Sequence, residues 1–170
     1  MRVLGIDPGI ASTGYGVVEE VGGDVRSLAF GVVRTPPHQS LPARLQSIYR
    51  AVVDMAVEWK PSVAAVEELF FSSNVRTAMS VGQARGVALL ALADAGLNVA
   101  EYTPLMVKQA VTGYGNADKA QMQEMVRLLL GLAEVPRPDD AADALAVAIC
   151  HLHSARLAAL SDESLPARRG

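Results

Sequence analysis

Residues 2–18 constrain this chain more than any other stretch, because an apolar run leads directly into a carboxylate and a tight turn. Val3, Leu4 and Ile6 form an apolar run without polar alternation, as in a strand covered on both faces, and the run stops at Asp7. Pro8-Gly9 turns the chain, and a second apolar run starts at Gly14. A central strand that ends in a carboxylate and a tight turn puts that carboxylate at the rim of a sheet, where ligands of open α/β sheets collect. Asp7 is therefore the first candidate for chemistry. Its partners must come from elsewhere in the chain.

Arg2–Asp7, Gly14–Val21 and Val25–Thr35 read as three strands, the last two joined into a hairpin by Gly22-Gly23-Asp24. Apolar residues recur at helical spacing from Leu41 to Trp59, and Pro61 closes that helix. Ser62–Phe70 reads as a fourth strand containing Glu67 and Glu68 near its end, and Asn98–Tyr102 as a fifth. Between them Ser72, Ser73 or Asn74 caps a long helix that Gly96 stops. Helices are expected over Pro104–Thr112, Lys119–Leu132 and Asp139–Leu160. The pattern predicts an α/β fold, a mixed five-stranded sheet flanked by helices. At 170 residues the chain supports one core. Residues 1–157 are assigned to it, and 158–170, rich in Ser, Asp, Arg and Pro, to a disordered tail.

No apolar run is expected to cross a bilayer, and the single cysteine, Cys150, points to a reducing compartment. A cytoplasmic protein with no membrane partner is the expectation. The net charge of −3 disfavours a polyanionic partner only weakly, since a local basic patch sets phosphate binding.

Six carboxylates are of interest: Asp7, Glu67, Glu68, Asp139, Asp140 and Asp143. Asp140 and Asp143 share a helix face at i,i+3, and Asp139 and Asp143 share one equally well at i,i+4. Spacing chooses neither between Asp139 and Asp140 nor between Glu67 and Glu68. Acids in a first helical turn oppose the helix dipole, which accounts for Asp139 and Asp140 without any ligand. Asp143 precedes an almost wholly apolar segment and Glu67 ends a buried run, so both call for a partner. Two carboxylates 4 Å apart repel by roughly 4 kcal/mol at an effective dielectric of 20. A hard divalent cation offsets that, and oxygen ligands without His or Cys suit Mg²⁺ or Mn²⁺. Two such ions about 4 Å apart are an arrangement for phosphodiester hydrolysis.

Arg76, Arg85, Lys108, Lys119 and Arg127 are the cations that could meet phosphates, each with a solvated helix-face charge as its plainer role. Lys119 stands out because it follows a glycine-rich loop and begins a helix. Phe70 and Phe71 flank the same rim as Glu67, as core residues or as a wedge between bases. Gly82 and Gly86, one turn apart, suggest close approach of another helix, such as one from a second subunit. Cys150 and Trp59 are read as packing residues, and His151 and His153 as surface groups.

With these pieces placed, the chain resembles the RuvC family, the bacterial Holliday junction resolvases of the ribonuclease H-like superfamily. The matching motifs are Gly5-Ile6-Asp7-Pro8-Gly9 with Thr13-Gly14-Tyr15-Gly16, Ala65-Val66-Glu67, and Gly82-Gln83-Ala84-Arg85-Gly86. Val107-Lys108-Gln109, Lys119 with Gln121, and Asp140-Ala141-Ala142-Asp143-Ala144-Leu145-Ala146 follow in family order. The resemblance implies a ribonuclease H-like fold and a junction-selective endonuclease of recombination and repair, with Asp7, Glu67, Asp140 and Asp143 as catalytic metal ligands. It implies two Mg²⁺ ions per subunit, with Mn²⁺ as a substitute. It implies DNA contacts from Phe70, Lys108 and Lys119, which Arg76 joins on its charge alone, a homodimer on four-way junction DNA, and the branch-migration partners RuvA and RuvB. An actin-like nucleotide-binding module, suggested by Gly5–Gly9, is disfavoured because one domain supplies only half of such a clamp.

Overall fold

The computed structural model describes residues 1–68 and 75–163. β1 (Arg2–Asp7), β2 (Ser12–Val21) and β3 (Asp24–Arg34) form an antiparallel meander, and β4 (Val63–Glu67) and β5 (Val99–Tyr102) extend it in parallel. The order is β3-β2-β1-β4-β5, so the two strands that end in Asp7 and Glu67 are neighbours. The sheet is the expected mixed five-stranded one.

Helices cover both faces. On one side α1 (Leu41–Trp59) and α2 (Val75–Asp94) pack on Leu4, Ile6, Val17, Ala64 and Val66. On the other side α3 (Pro104–Thr112), α4 (Lys119–Leu129) and α5 (Asp139–Glu163) pack on Val3, Val18 and Ala65. β1 and β4 contribute to both layers, which is why neither carries the polar alternation of a half-exposed strand. Trp59 packs beside the first layer and Cys150 is buried in the second, as expected of both.

α5 sits closest to the sheet because three glycines lie beneath it. Gly5 pairs with Gly16, and Gly14 pairs with Asp7. A Cβ at Gly5 would collide with the carbonyl oxygen of Ala144, and one at Gly14 with that of Asp140. One at Gly16 would stand 2.8 Å from Leu145 Cδ2. The helix backbone thus rests on the strand backbones, and its first turn lies beside the end of β1.

Several boundaries differ from expectation. α4 ends at Leu129, since Gly131 adopts φ +61° and reverses the chain before Leu132. α5 continues to Glu163, so residues 158–163 of the expected tail are helical, as suits Ala158, Ala159 and Leu160. Residues 164–170 lie outside the described residues. α5 is also long and apolar enough, by length and composition, to cross a membrane, against the expectation for this chain. Here its apolar side chains from Ala144 to Leu152 are buried against the sheet and α3. His151 and His153 are not simple surface groups. Tyr102 Oη lies 2.8 Å from His151 Nδ1, and His153 Nδ1 lies 2.9 Å from the Ala110 carbonyl, so both tie α5 to its neighbours. Burial lowers the pKa of His151.

Candidate active site

Asp7 terminates β1, Glu67 terminates β4 one strand over, and Asp140 and Asp143 occupy the first turns of α5. Asp7, Asp140 and Asp143 each present a carboxylate oxygen within 4.8 Å of the others. Glu67 stands outside that triad but faces the cleft that Asp143 also lines. Glu68, next in sequence, is exposed, and its amide donates to the Tyr102 carbonyl. Asp139 is turned away from the triad toward Lys119, Gln123 and Arg137.

The electrostatics match this crowding. Burial, then Asp143, Glu67 and Asp140, raise the Asp7 pKa from 3.8 to about 7, partly offset by Lys119. Burial and Asp143 raise Glu67, against Lys108. Burial also raises Asp143, against Lys119, whose ammonium stands 3.5 Å from an Asp143 oxygen. Burial alone would lower the pKa of Lys119, but Asp139 and Asp143 outweigh it and leave the pKa raised. The donor set is carboxylate oxygen throughout, partly buried and short of positive charge, and it fits a hard divalent cation.

Beside the acids opens a cleft of about 260 Å³ whose walls include Glu67, Lys108, Asp118, Lys119 and Asp143. Lys119 is the first residue of α4, and Asp118 caps that helix. Asp118 Oδ1 accepts from the Gln121 amide at 2.9 Å, while Gln121 Oε1 accepts from the Asp118 amide at 3.0 Å and from Tyr114 Oη at 2.9 Å. This reciprocal cap fixes where α4 begins and so where Lys119 projects. Asp118 is absent from the sequence-based candidates, and the Asp-x-x-Gln spacing of a capping box is the signal that marks it. Lys108, on α3, reaches the same cleft from a helix capped by the Thr103 hydroxyl.

The remaining basic candidates are used differently. Arg85 pairs with Glu101 and approaches the Glu67 carbonyl at 3.4 Å, holding the end of β4. Arg127 pairs with Glu124 at 2.6 Å and bonds the Leu132 carbonyl. Phe70 and Phe71 lie outside the described residues. Arg76 falls in the first turn of α2, its side chain outside them as well.

Residues 3–151 match the family model described as crossover junction endodeoxyribonuclease RuvC. The chain belongs to the RuvC family. RuvC of Chloroflexus aggregans is 62% identical over 155 residues, covering 91% of this chain and 94% of that protein. RuvC of Syntrophomonas wolfei is 54% identical over 164 residues, covering 96% and 95%. Among solved structures, Thermus thermophilus RuvC in complex with a Holliday junction substrate superposes with a TM-score of 0.89 at 43% identity, covering 93% of this chain and 96% of that one. The fold is ribonuclease H-like, and Asp7, Glu67, Asp140 and Asp143 stand where β1, β4 and α5 meet.

Proposed function

We propose that this chain is a junction-resolving endodeoxyribonuclease of recombination and repair, which as a homodimer introduces paired symmetric nicks in four-way DNA. The observation that carries the reading is the convergence of Asp7, Asp140 and Asp143 beside a lysine-lined cleft, in a chain of the RuvC family. Asp7, Asp140 and Asp143, with Glu67 beside them, would hold two Mg²⁺ ions, or Mn²⁺ in their place. When bound, such ions supply the Lewis acidity that phosphodiester hydrolysis requires. The protein's own residues set the rest. Asp7 is the deepest acid and must shed its proton before the site carries full negative charge. Lys119 and Lys108 face the cleft from two capped helices and would pair with strand phosphates, with Phe70 and Arg76 contributing further DNA contacts.

A second subunit would dock on α2. Met79, Gln83, Gly86 and Leu90 recur at helical spacing, are exposed, and leave open space above Gly86. RuvA and RuvB are the partners this reading brings with it. The lone thiol of Cys150 suits the cytoplasm.

Cleavage of a synthetic four-way junction tests the reading, with linear duplex and RNA–DNA hybrid as comparators. The protein should cut the junction selectively, and Asp7→Asn should bind it without cutting. Equal cleavage of all three substrates, or normal cutting by the variant, would overturn it.

A further inference from the structure

Asp139 is an acid of the site that the cation-binding group does not include. Both its oxygens are taken by protein donors. Oδ1 accepts from Gln123 Nε2 at 2.9 Å and from Arg137 Nη1 at 2.8 Å, and Oδ2 lies 3.1 Å from Lys119 Nζ. Lys119 and Gln123 are one turn apart on α4, so a single face of that helix clamps the first residue of α5. Gln123 is only 6% exposed, and such a buried amide needs its partner. Lys119 is thus shared between two carboxylates, the nearer being Asp139 and the farther Asp143 at 3.5 Å.

We propose that Asp139 is a positioning residue for Lys119, a seat that keeps the ammonium at the rim of the cleft when a cation takes the Asp143 oxygens. The assignment rests on reading Asp7, Asp140 and Asp143 as cation ligands. Without Asp139, the ammonium has one carboxylate left, Asp143, and competes there with the incoming cation. With Asp139, it keeps a carboxylate already 3.1 Å away and stays where a phosphate would pass.

Asp139→Asn isolates the role. Its carbonyl oxygen still accepts from Gln123 and Arg137, while its amide nitrogen offers the ammonium a donor instead of an acceptor. Mn²⁺ binding to the full DNA-free chain, followed by electron paramagnetic resonance, supplies a readout independent of cleavage. Asp139→Asn should weaken Mn²⁺ binding about three- to tenfold when Lys119 is present and less than about twofold in a Lys119→Met background. Equal losses in both backgrounds would overturn the assignment, because Asp139 would then act on the cation without Lys119. Asp143→Asn serves as the control for the underlying reading and should remove most of the binding. If it leaves binding unchanged, the cation reading of the triad fails and the role of Asp139 falls with it.

Discussion

The two walls of the site, its acids and its lysines, are built on different principles. The acidic wall is fixed by backbone: Asp7 and Glu67 end paired strands, and Asp140 and Asp143 ride a helix laid directly on glycines. The basic wall is fixed by helix caps and long side chains, and Lys119 keeps 56% of its side-chain surface exposed. Crowded carboxylates must be held together against their own repulsion, which calls for a rigid frame. Lysines that meet a mobile polyanion need reach, and a four-carbon stem gives it.

Changes to the acidic wall should therefore cost most. Asp7→Asn should lower the cleavage rate of a four-way junction by about 10²- to 10³-fold, a typical cost of removing a group that stabilises charge in the reaction. Junction binding by a gel-shift assay should be retained. Gly14→Ala tests the frame itself, since the added methyl meets the Asp140 carbonyl, a backbone atom that cannot turn aside. Urea unfolding should report a loss of about 3 kcal/mol, and Mn²⁺ affinity should fall with it.

The proton on Asp7 gives the same wall a pH signature. Its pKa is about 7 in the folded, metal-free protein against 3.8 as the ordinary value. The folded state thus binds more protons than the unfolded one between those limits. The stability Asp7 contributes is complete below about pH 4 and is lost as pH rises through 7. The metal-free protein should be less stable at pH 8 than at pH 5 by a contribution of order 3 kcal/mol. Asp7→Asn should flatten that slope, and Mg²⁺ should restore stability at pH 8. Thermal melts at the two pH values check all three expectations.

On the basic wall the effects should be graded. Lys119→Ala and Lys108→Ala should each make the plot of log affinity against log salt shallower, by about 0.9 for every phosphate the lysine had neutralised. Arg127→Ala should leave it unchanged, since that guanidinium is spent on Glu124 and the Leu132 carbonyl. A slope change from Arg127→Ala equal to that from the lysines would mean that the cleft does not define the DNA path.

The walls also differ in how far they can be read from sequence. Asp7, and an acid at Glu67 or Glu68, are visible there because an apolar run that stops at an acid implies a buried strand and a rim. Whether Asp139 or Asp140 joins them is not, because both spacings to Asp143 share a helix face. The structure separates them through the donors around Asp139, which come from α4 and from Arg137, and through the height at which α5 rests on the sheet. That height depends on Gly5, Gly14 and Gly16 coming into register across two strands, a tertiary fact that no local pattern encodes. The histidines of α5 depart from expectation for a related reason. Their partners, Tyr102 and the Ala110 carbonyl, lie 49 and 43 residues away.

Where the α5 backbone meets Gly5 and Gly14 there is no side chain to repack, so its placement there admits little gradual tuning. Any bulk added at either point shifts two acids at once. The seating of α5 on Gly5 and Gly14 thus ties the position of both acids to two residues that carry no side chain.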